Sequence, residues 1–372
     1  MNRSVLPDCA VLVLLWLSAI GASAAQVTPL AIGAAAPDFD LPGVDGKHHR
    51  LHDYDSAKVL VVIFNCNHCP VAQAYEERIK LLDADYKDKG VALVVINPNN
   101  PAAIRLDELG YTDLSDSLDE MKIRAKEHGF AFPYLFDGDT QTVAHAYGCL
   151  ATPHAFIFDA GRKLRYQGRI DDSDIHEVKH HDARDAIDAL LAGKPVAVEK
   201  TRVFGCSTKW IEKEDSSRKT IEKWNQEPVE LKTIDVNGIK DLAKNDTKNL
   251  LLINVWATWC GPCASELPDL NDLNRMYRRR EFQFITISVD DPPMKEQVLN
   301  FLKQKHIAGT NYLFTSDDHD ALADALDKQW PGPVPHTILI APGGKIVYRR
   351  TGPIDLLELK QAIVEYLGRT YK

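Results

Sequence analysis

The sequence predicts an α/β protein built as two tandem α/β sandwiches, and three observations carry that prediction. Short β-branched runs alternate with amphipathic helical stretches in both halves of the chain, the pattern of strand and crossover helix. Each half has an apolar run that ends in a Cys-x-x-Cys pair and leads into a helix: Lys58 to Asn65 before Cys66 and Cys69, and Leu250 to Trp256 before Cys260 and Cys263. Each half also has a Pro-His step followed by Gly, Lys and Tyr at matching offsets. These are Pro153-His154 with Gly161, Lys163 and Tyr166, and Pro335-His336 with Gly343, Lys345 and Tyr348. Such a recurrence marks one domain type used twice.

A chain of 372 residues has material for two cores. A net charge of -9 argues against nucleic acid or an anionic membrane as the main partner, since both attract basic patches. The first 25 residues read as a secretory signal, with Arg3 as the positive start, Val11 to Ile20 as the apolar run and Ala22-Ser23-Ala24 as the cleavage site. The apolar run falls short of the ~20 residues that span a bilayer. The mature protein is therefore expected to be periplasmic or secreted, without membrane insertion. Loss of the leader removes Cys9 and leaves six cysteines, an even number that permits complete pairing in an oxidising compartment.

In chain order, residues 37–56 suggest a hairpin with glycine turns. His48, His49 and His52 within it read as solvated surface. The strand from Lys58 to Asn65 precedes a helix reaching about Lys89, with Val71, Tyr75, Ile79 and Leu82 on one face. A strand at Val91 to Ile96 and a helix at Met121 to His128 follow. In the acidic stretch Asp171 to Asp182, His176 and His180 lie one helical turn apart and could ligate a metal, but the stretch reads as solvated. A helix from Ala183 to Leu191 stops at Gly193 and Pro195, as helix ends do. The expected division is a first domain over 30–195, a tail and linker over 196–227 and a second domain over 228–372. The second domain opens with a strand to Ile234 and a helix at Val236 to Lys244. Further strands are expected at Leu250 to Trp256, Phe282 to Val289 and Thr337 to Ile340, and a last helix at Asp355 to Leu367. Tyr277 with Arg278, Arg279 and Arg280 reads as a basic helix C-terminus suited to the dipole.

The chemistry is clearest at Cys260. A Cys-x-x-Cys pair at a helix N-terminus can close a disulfide across the first turn, and the free amides and the dipole there stabilise the thiolate. Pro262 fits a first turn that needs no amide. The run Trp256-Ala-Thr-Trp259-Cys260-Gly-Pro-Cys263, followed by Glu266-Leu-Pro, resembles the thioredoxin superfamily, and most closely its extracytoplasmic TlpA/ResA branch. The Ala36-Pro-Asp-Phe-Asp-Leu-Pro stretch is similar to the start of the peroxiredoxin-like AhpC/TSA branch. The resemblance implies two three-layer thioredoxin-like domains. It also implies a cis proline beside each cysteine pair, placed on Pro153 after Thr152 and on Pro335 after Val334. Where thioredoxins commonly carry a buried Asp this chain has Asn254, and Glu266, three residues after Cys263, is the expected substitute proton acceptor.

By the same resemblance the activity is thiol-disulfide exchange with protein or small thiol partners, recharged by a donor that could sit in the membrane, with no organic cofactor and no resident metal. Cys66 and Cys260 are expected to attack, Cys69 and Cys263 to resolve. His68 matches the histidine of disulfide-forming oxidoreductases, so Cys66 with Cys69 is expected to be the more oxidising pair. Electrons would pass to it from Cys260 with Cys263, or each pair would serve separate substrates. Two other readings stay open. A peroxidase reading lacks support from the Pro-x-x-x-Thr/Ser-x-x-Cys signature, since Ile63, Phe64 and Asn65 precede Cys66 with no proline or hydroxyl in place. Cys66, His68 and Cys69 could instead hold copper or zinc. Cys149 and Cys206 invite two readings: a resolving or structural disulfide that ties the tail across the first domain near its active site, which is the expectation, or a buried thiol at 149 and an unpaired one at 206.

Overall fold

The computed structural model describes residues 27–371 apart from residue 175. The secretory leader expected at 1–25 lies outside the described residues. Among those residues no helix is long and apolar enough to cross a membrane.

The first half begins with a small hairpin, β1 (Asp40–Pro42) and β2 (His48–Arg50), and then enters β3 (Val59–Phe64), every residue of which is buried. An uninterrupted apolar run of this length can only be covered on both faces. Next come α1 (Pro70–Tyr86), β4 (Val91–Asn97), α2 (Leu118–His128), β5 (Tyr134–Phe136) and α3 (Thr142–Tyr147). The two-residue β6 (Ala151–Thr152) precedes β7 (His154–Phe158), β8 (Leu164–Gly168) and α4 (Asp182–Leu191). The sheet runs β5-β4-β3-β7-β8, with β3 parallel to β4 and antiparallel to β7. Helix α2 is tied to α1 by a buried pair, Arg124 Nε to Glu76 Oε1 at 2.8 Å.

Residues expected to form a tail and linker are more ordered than that. Strand β9 (Cys206–Ser207) pairs antiparallel with β6, and α5 (Glu214–Trp224) is anchored where Ser217 Oγ donates to Ile104 O at 3.1 Å. The second half then supplies β10 (Lys232–Ile234), α6 (Val236–Lys244), β11 (Leu250–Trp256), α7 (Gly261–Tyr277), β12 (Phe282–Ser288) and α8 (Lys295–Gln304). It closes with β13 (Thr310–Phe314), α9 (His319–Leu326), β14 (His336–Ile340), β15 (Ile346–Thr351) and α10 (Leu356–Leu367). Its six-stranded sheet has the order β10-β13-β12-β11-β14-β15. The central motif is the same in both sheets. A buried strand runs into the cysteine-bearing helix and is flanked on one side by a parallel strand and on the other by the antiparallel strand that follows the proline.

The halves pack through the long loop after β4. Ile104 and Leu109 of that loop belong to the hydrophobic core of the second half. Tyr277 Oη, at the end of α7, donates to Thr112 O at 3.3 Å, and Arg280 donates to Gly110 O at 2.5 Å and lies over the Tyr111 ring at 3.9 Å. From the C-terminus, Arg369 reaches the buried Asp113 at 2.5 Å and Tyr371 packs edge-on against Tyr111 with centroids 5.0 Å apart. The triple-arginine helix end therefore serves as a docking element as well as a dipole cap.

Candidate active sites

In the second half the geometry follows the sequence closely. Strand β11 delivers Cys260 to the N-cap of α7. There its Sγ accepts from the Cys263 amide at 3.3 Å, and the two cysteines are disulfide-bonded. Cys263 is buried, Cys260 nearly so, and Trp259 beside them is 67% exposed, so the pair sits at an open surface. The loop is held from below by Asp290, which accepts from the Thr258 amide at 3.0 Å and from its hydroxyl at 2.5 Å. The Val334–Pro335 peptide is cis. Glu266 is buried. Asn254 Nδ2 donates to its Oε1 at 2.9 Å and the Ile354 amide to its Oε2 at 3.1 Å. Burial raises the Glu266 carboxyl above its ordinary range, against the opposing pull of those two donors. A carboxyl so placed holds its proton more readily than an exposed glutamate, as a proton-exchanging group beside a thiol needs.

The first site differs from what its Cys-x-x-Cys spelling suggests. In the sheet registers Phe64 lies opposite His154 and Val255 opposite His336, each histidine following its cis proline. Counting onward from these equivalent strand ends, Cys69 corresponds to Cys260, and Cys66 falls where the second half has Ala257. Helix α1 starts at Pro70 with Cys69 as its N-cap, just as α7 starts after Cys260. Cys66-x-x-Cys69 thus precedes its helix, while Cys260-x-x-Cys263 opens its own, and Ala72 takes the place of Cys263. Pro70 is the legible signal, because proline favours the first helical position.

This offset changes the roles. Cys66 is fully buried with its Sγ 3.0 Å from Thr152 Oγ1, and burial pushes its thiol well above the ordinary range. Burial also opposes charge on Cys69. Hydrogen bonds from Cys206 and Cys66, the charge of His68 and the Ala72 amide outweigh it and hold the Cys69 thiol well below its ordinary range. The sulfur suited to attack is Cys69, where Cys66 was expected. His68 is buried, and its Nδ1 pairs with Asp116 Oδ2 at 2.6 Å. Desolvation disfavours its cationic form, yet Asp116 prevails and raises its titration above the usual value. Asp116 also accepts from the Asn67 amide at 2.8 Å and from Asn99 Nδ2 at 2.8 Å. It supports its loop as Asp290 does in the second half. No sequence motif marks Asp116, since it comes from the long insertion after β4.

The expected Cys149–Cys206 disulfide is not formed, and both residues are free thiols, as are Cys66 and Cys69. Cys149 is buried with its Sγ 3.4 Å from Thr208 Oγ1 and 3.5 Å from Ala151 O. The pairing of β9 with β6 sets Cys206 opposite Thr152, so Thr208, two residues on, covers Cys149. The tail does cross the first domain, but it presents its cysteine to Cys69.

A cavity of about 310 Å³ opens onto this site, lined among others by His68, Pro70, Cys206, Lys209, Arg279 and Tyr371, and so by both halves of the chain. Donor atoms of Cys66, His68 and Asp116 all lie within 4.8 Å of one another. The Asp116 carboxylate is already saturated by His68, Asn67 and Asn99, so the group is arranged as an ion pair beside a thiol and fits a metal poorly. His48 and His49 pair with Asp40 and Asp45 at the surface, while His176 and His180 are exposed.

Two sheets of this topology, each with a cysteine at the N-cap of the helix after a central strand and a cis proline beside it, define a tandem thioredoxin-fold protein. Residues 32–167 match the AhpC/TSA family and residues 231–363 the Redoxin family. It is similar to the thiol-disulfide oxidoreductase ResA of Bacillus subtilis (strain 168), 32% identical over 119 residues, covering 32% of this chain and 62% of that protein. It is also similar to ResA of Geobacillus thermodenitrificans (strain NG80-2), 30% identical over 111 residues, covering 30% of this chain and 59% of that one. The chain thus spans about three fifths of the length of these relatives. A hypothetical protein from Sinorhizobium meliloti 1021 of solved structure is 34% identical, covering 49% of this chain and 96% of its own, with a TM-score of 0.44. An uncharacterized conserved protein from Geobacillus kaustophilus is 40% identical, covering 48% and 92%, with a TM-score of 0.44.

Proposed function

We propose that this chain is an exported thiol-disulfide oxidoreductase with two cysteine sites of different design. The observation that carries the reading is the Cys260–Cys263 disulfide at the exposed N-terminus of α7, beside cis Pro335 and above the buried Asn254–Glu266 pair. In the reducing direction, the Cys260 thiolate attacks a partner's disulfide to give a mixed disulfide and expels one partner thiolate. Cys263 then loses its proton to Glu266 and attacks Cys260 Sγ, releasing the second partner thiolate. The open surface around Trp259 suits a protein partner. The first site works on small molecules through Cys69, because the cavity above it is too narrow for a folded chain.

The test is disulfide exchange with a reporter protein substrate. Cys260→Ser should abolish turnover of that substrate, while Cys69→Ser should leave most of it. Turnover unaffected by Cys260→Ser would sink the proposal. A redox titration in glutathione buffers, with mass spectrometry resolving each cysteine, gives the poise of each site.

A second reading, peroxide reduction at the first site, rests on the Cys69 thiol held below its ordinary range and on a nearby hydroxyl, not on the peroxiredoxin signature. Counted from Cys69, the Thr/Ser position of that signature falls on Cys66 and its Pro position on Val62, and the hydroxyl comes instead from Thr152, 3.0 Å from Cys66 Sγ. Peroxide consumption lost in Cys69→Ser would support it. Absence of consumption by the wild-type protein would end it.

A further inference from the structure

Cys206 lies outside both Cys-x-x-Cys pairs, yet four observations bring it into the first site. Strand β9 pairs with β6 so that Cys206 faces Thr152, the residue whose hydroxyl touches Cys66 and whose carbonyl accepts from Cys69 Sγ at 3.6 Å. Cys206 is near enough to Cys69 to help hold its thiol below the ordinary range. Gly205 has φ +140, and a Cβ there would fall on the Thr152 carbonyl, so the chain is shaped to bring this strand close to the cis proline. Finally, Cys206 is half-buried and lines the cavity, whereas Cys66 and Cys69 are 1% and 0% exposed.

We propose that Cys206 is the resolving cysteine of the first site, closing a Cys69–Cys206 disulfide and giving it its outlet to small thiols and disulfides. This rests on the thiol-exchange reading above and names the pair that performs it. With a low-molecular-weight disulfide RSSR in the cavity, the Cys69 thiolate attacks one sulfur, forming Cys69–S–SR and releasing RS⁻. Cys206 loses its proton and attacks Cys69 Sγ, which forms the Cys69–Cys206 bond and releases the second RS⁻. Two electrons pass from the dithiol to RSSR, and the Cys206 proton is released. In the return direction a small thiolate reaches Cys206 Sγ from the cavity and expels Cys69, the better leaving group of the two because its thiolate is the more stabilised. A second thiolate frees Cys206. Cys66, buried against the Thr152 hydroxyl, takes no part in this exchange.

The experiment equilibrates the intact protein with oxidised and reduced glutathione, traps free thiols by alkylation and maps disulfides by mass spectrometry. The expected product is a peptide pair linked through Cys69 and Cys206. It should be retained in Cys66→Ser and replaced in Cys206→Ser by glutathione held on Cys69. A Cys66–Cys69 disulfide in the wild-type protein, with Cys206 alkylated throughout, would overturn the proposal, and this result needs no variant to fold. The same digest reports Cys260 and Cys263. If that pair fails to titrate, the exchange reading of the second site fails, while the fate of Cys206 is still decided by its own peptide.

Discussion

At the scale of single residues, the first site depends on a buried ion pair. Asp116 sits below the usual carboxylate range because the His68 cation opposes its desolvation, and His68 sits above its own. The His68 contribution to stability is complete below its unfolded pKa of about 6.5 and is lost as pH rises through its raised folded value. The Asp116 contribution is present above its unfolded value of about 3.9 and is lost as pH falls through its lowered folded value. Asp116→Asn should therefore show its largest stability deficit, by denaturant unfolding, between about pH 4 and pH 6.5. With the imidazole then neutral, the Cys69 thiolate absorbance should titrate at higher pH, a rise of one unit corresponding to about 1.4 kcal/mol. In the second site, Glu266→Gln should remove the acid limb of the exchange rate followed by tryptophan fluorescence. The wild-type limb should lie above the ordinary carboxylate range, because Glu266 can accept a proton only when ionised and burial raises its pKa. Glu266 can be singled out from its spacing to Cys263. Asp116 cannot, since nothing local to it in sequence touches His68, and only the folding of the insertion brings them together.

At the scale of elements, both sites are decided by where a helix begins. The strands and most helices are legible from apolar runs and capping residues. The motif spelling equates Cys66 with Cys260, but the spelling repeats while the register does not. Proline at the first position of α1 and the offsets from each cis proline fix the frame and place Cys69 at the helix N-cap that Cys260 occupies in the second half. Strand β9 is not legible, because two residues in a polar stretch carry no periodicity, and its role comes from pairing with β6. That pairing should be sensitive at Gly205. Gly205→Ala must place a side chain on the Thr152 carbonyl at a positive φ, so it should cost about 1–3 kcal/mol in unfolding experiments. It should also lower the yield of any Cys69–Cys206 linkage.

At the scale of the whole molecule, the domain contact makes the cavity over the first site. Arg369 neutralises the buried Asp113, with Arg124 farther off at 3.7 Å, and Arg279 pairs with Asp107 at 2.6 Å. Removing one partner of a buried pair leaves an uncompensated charge. Arg369→Ala should therefore loosen the contact and raise the rate at which a bulky maleimide labels Cys206, while a small reagent should gain less. Two domains can be read from the internal repeat, but their embrace cannot, because its apolar part, Ile104 and Leu109, lies in an insertion without counterpart in the second half.

Helix α7 carries Cys260 at one end and, at the other, Tyr277, whose hydroxyl donates to Thr112 O of the first half. Seventeen residues of helix set these ends about 25 Å apart, so the disulfide of the second half lies a full helix length from this docking point. On the proposed reading, the two sites behave like separate half-cells, and current between them would be carried by diffusible thiols. One polypeptide would then hold an oxidised and a reduced site at the same moment, each poised by its own clientele.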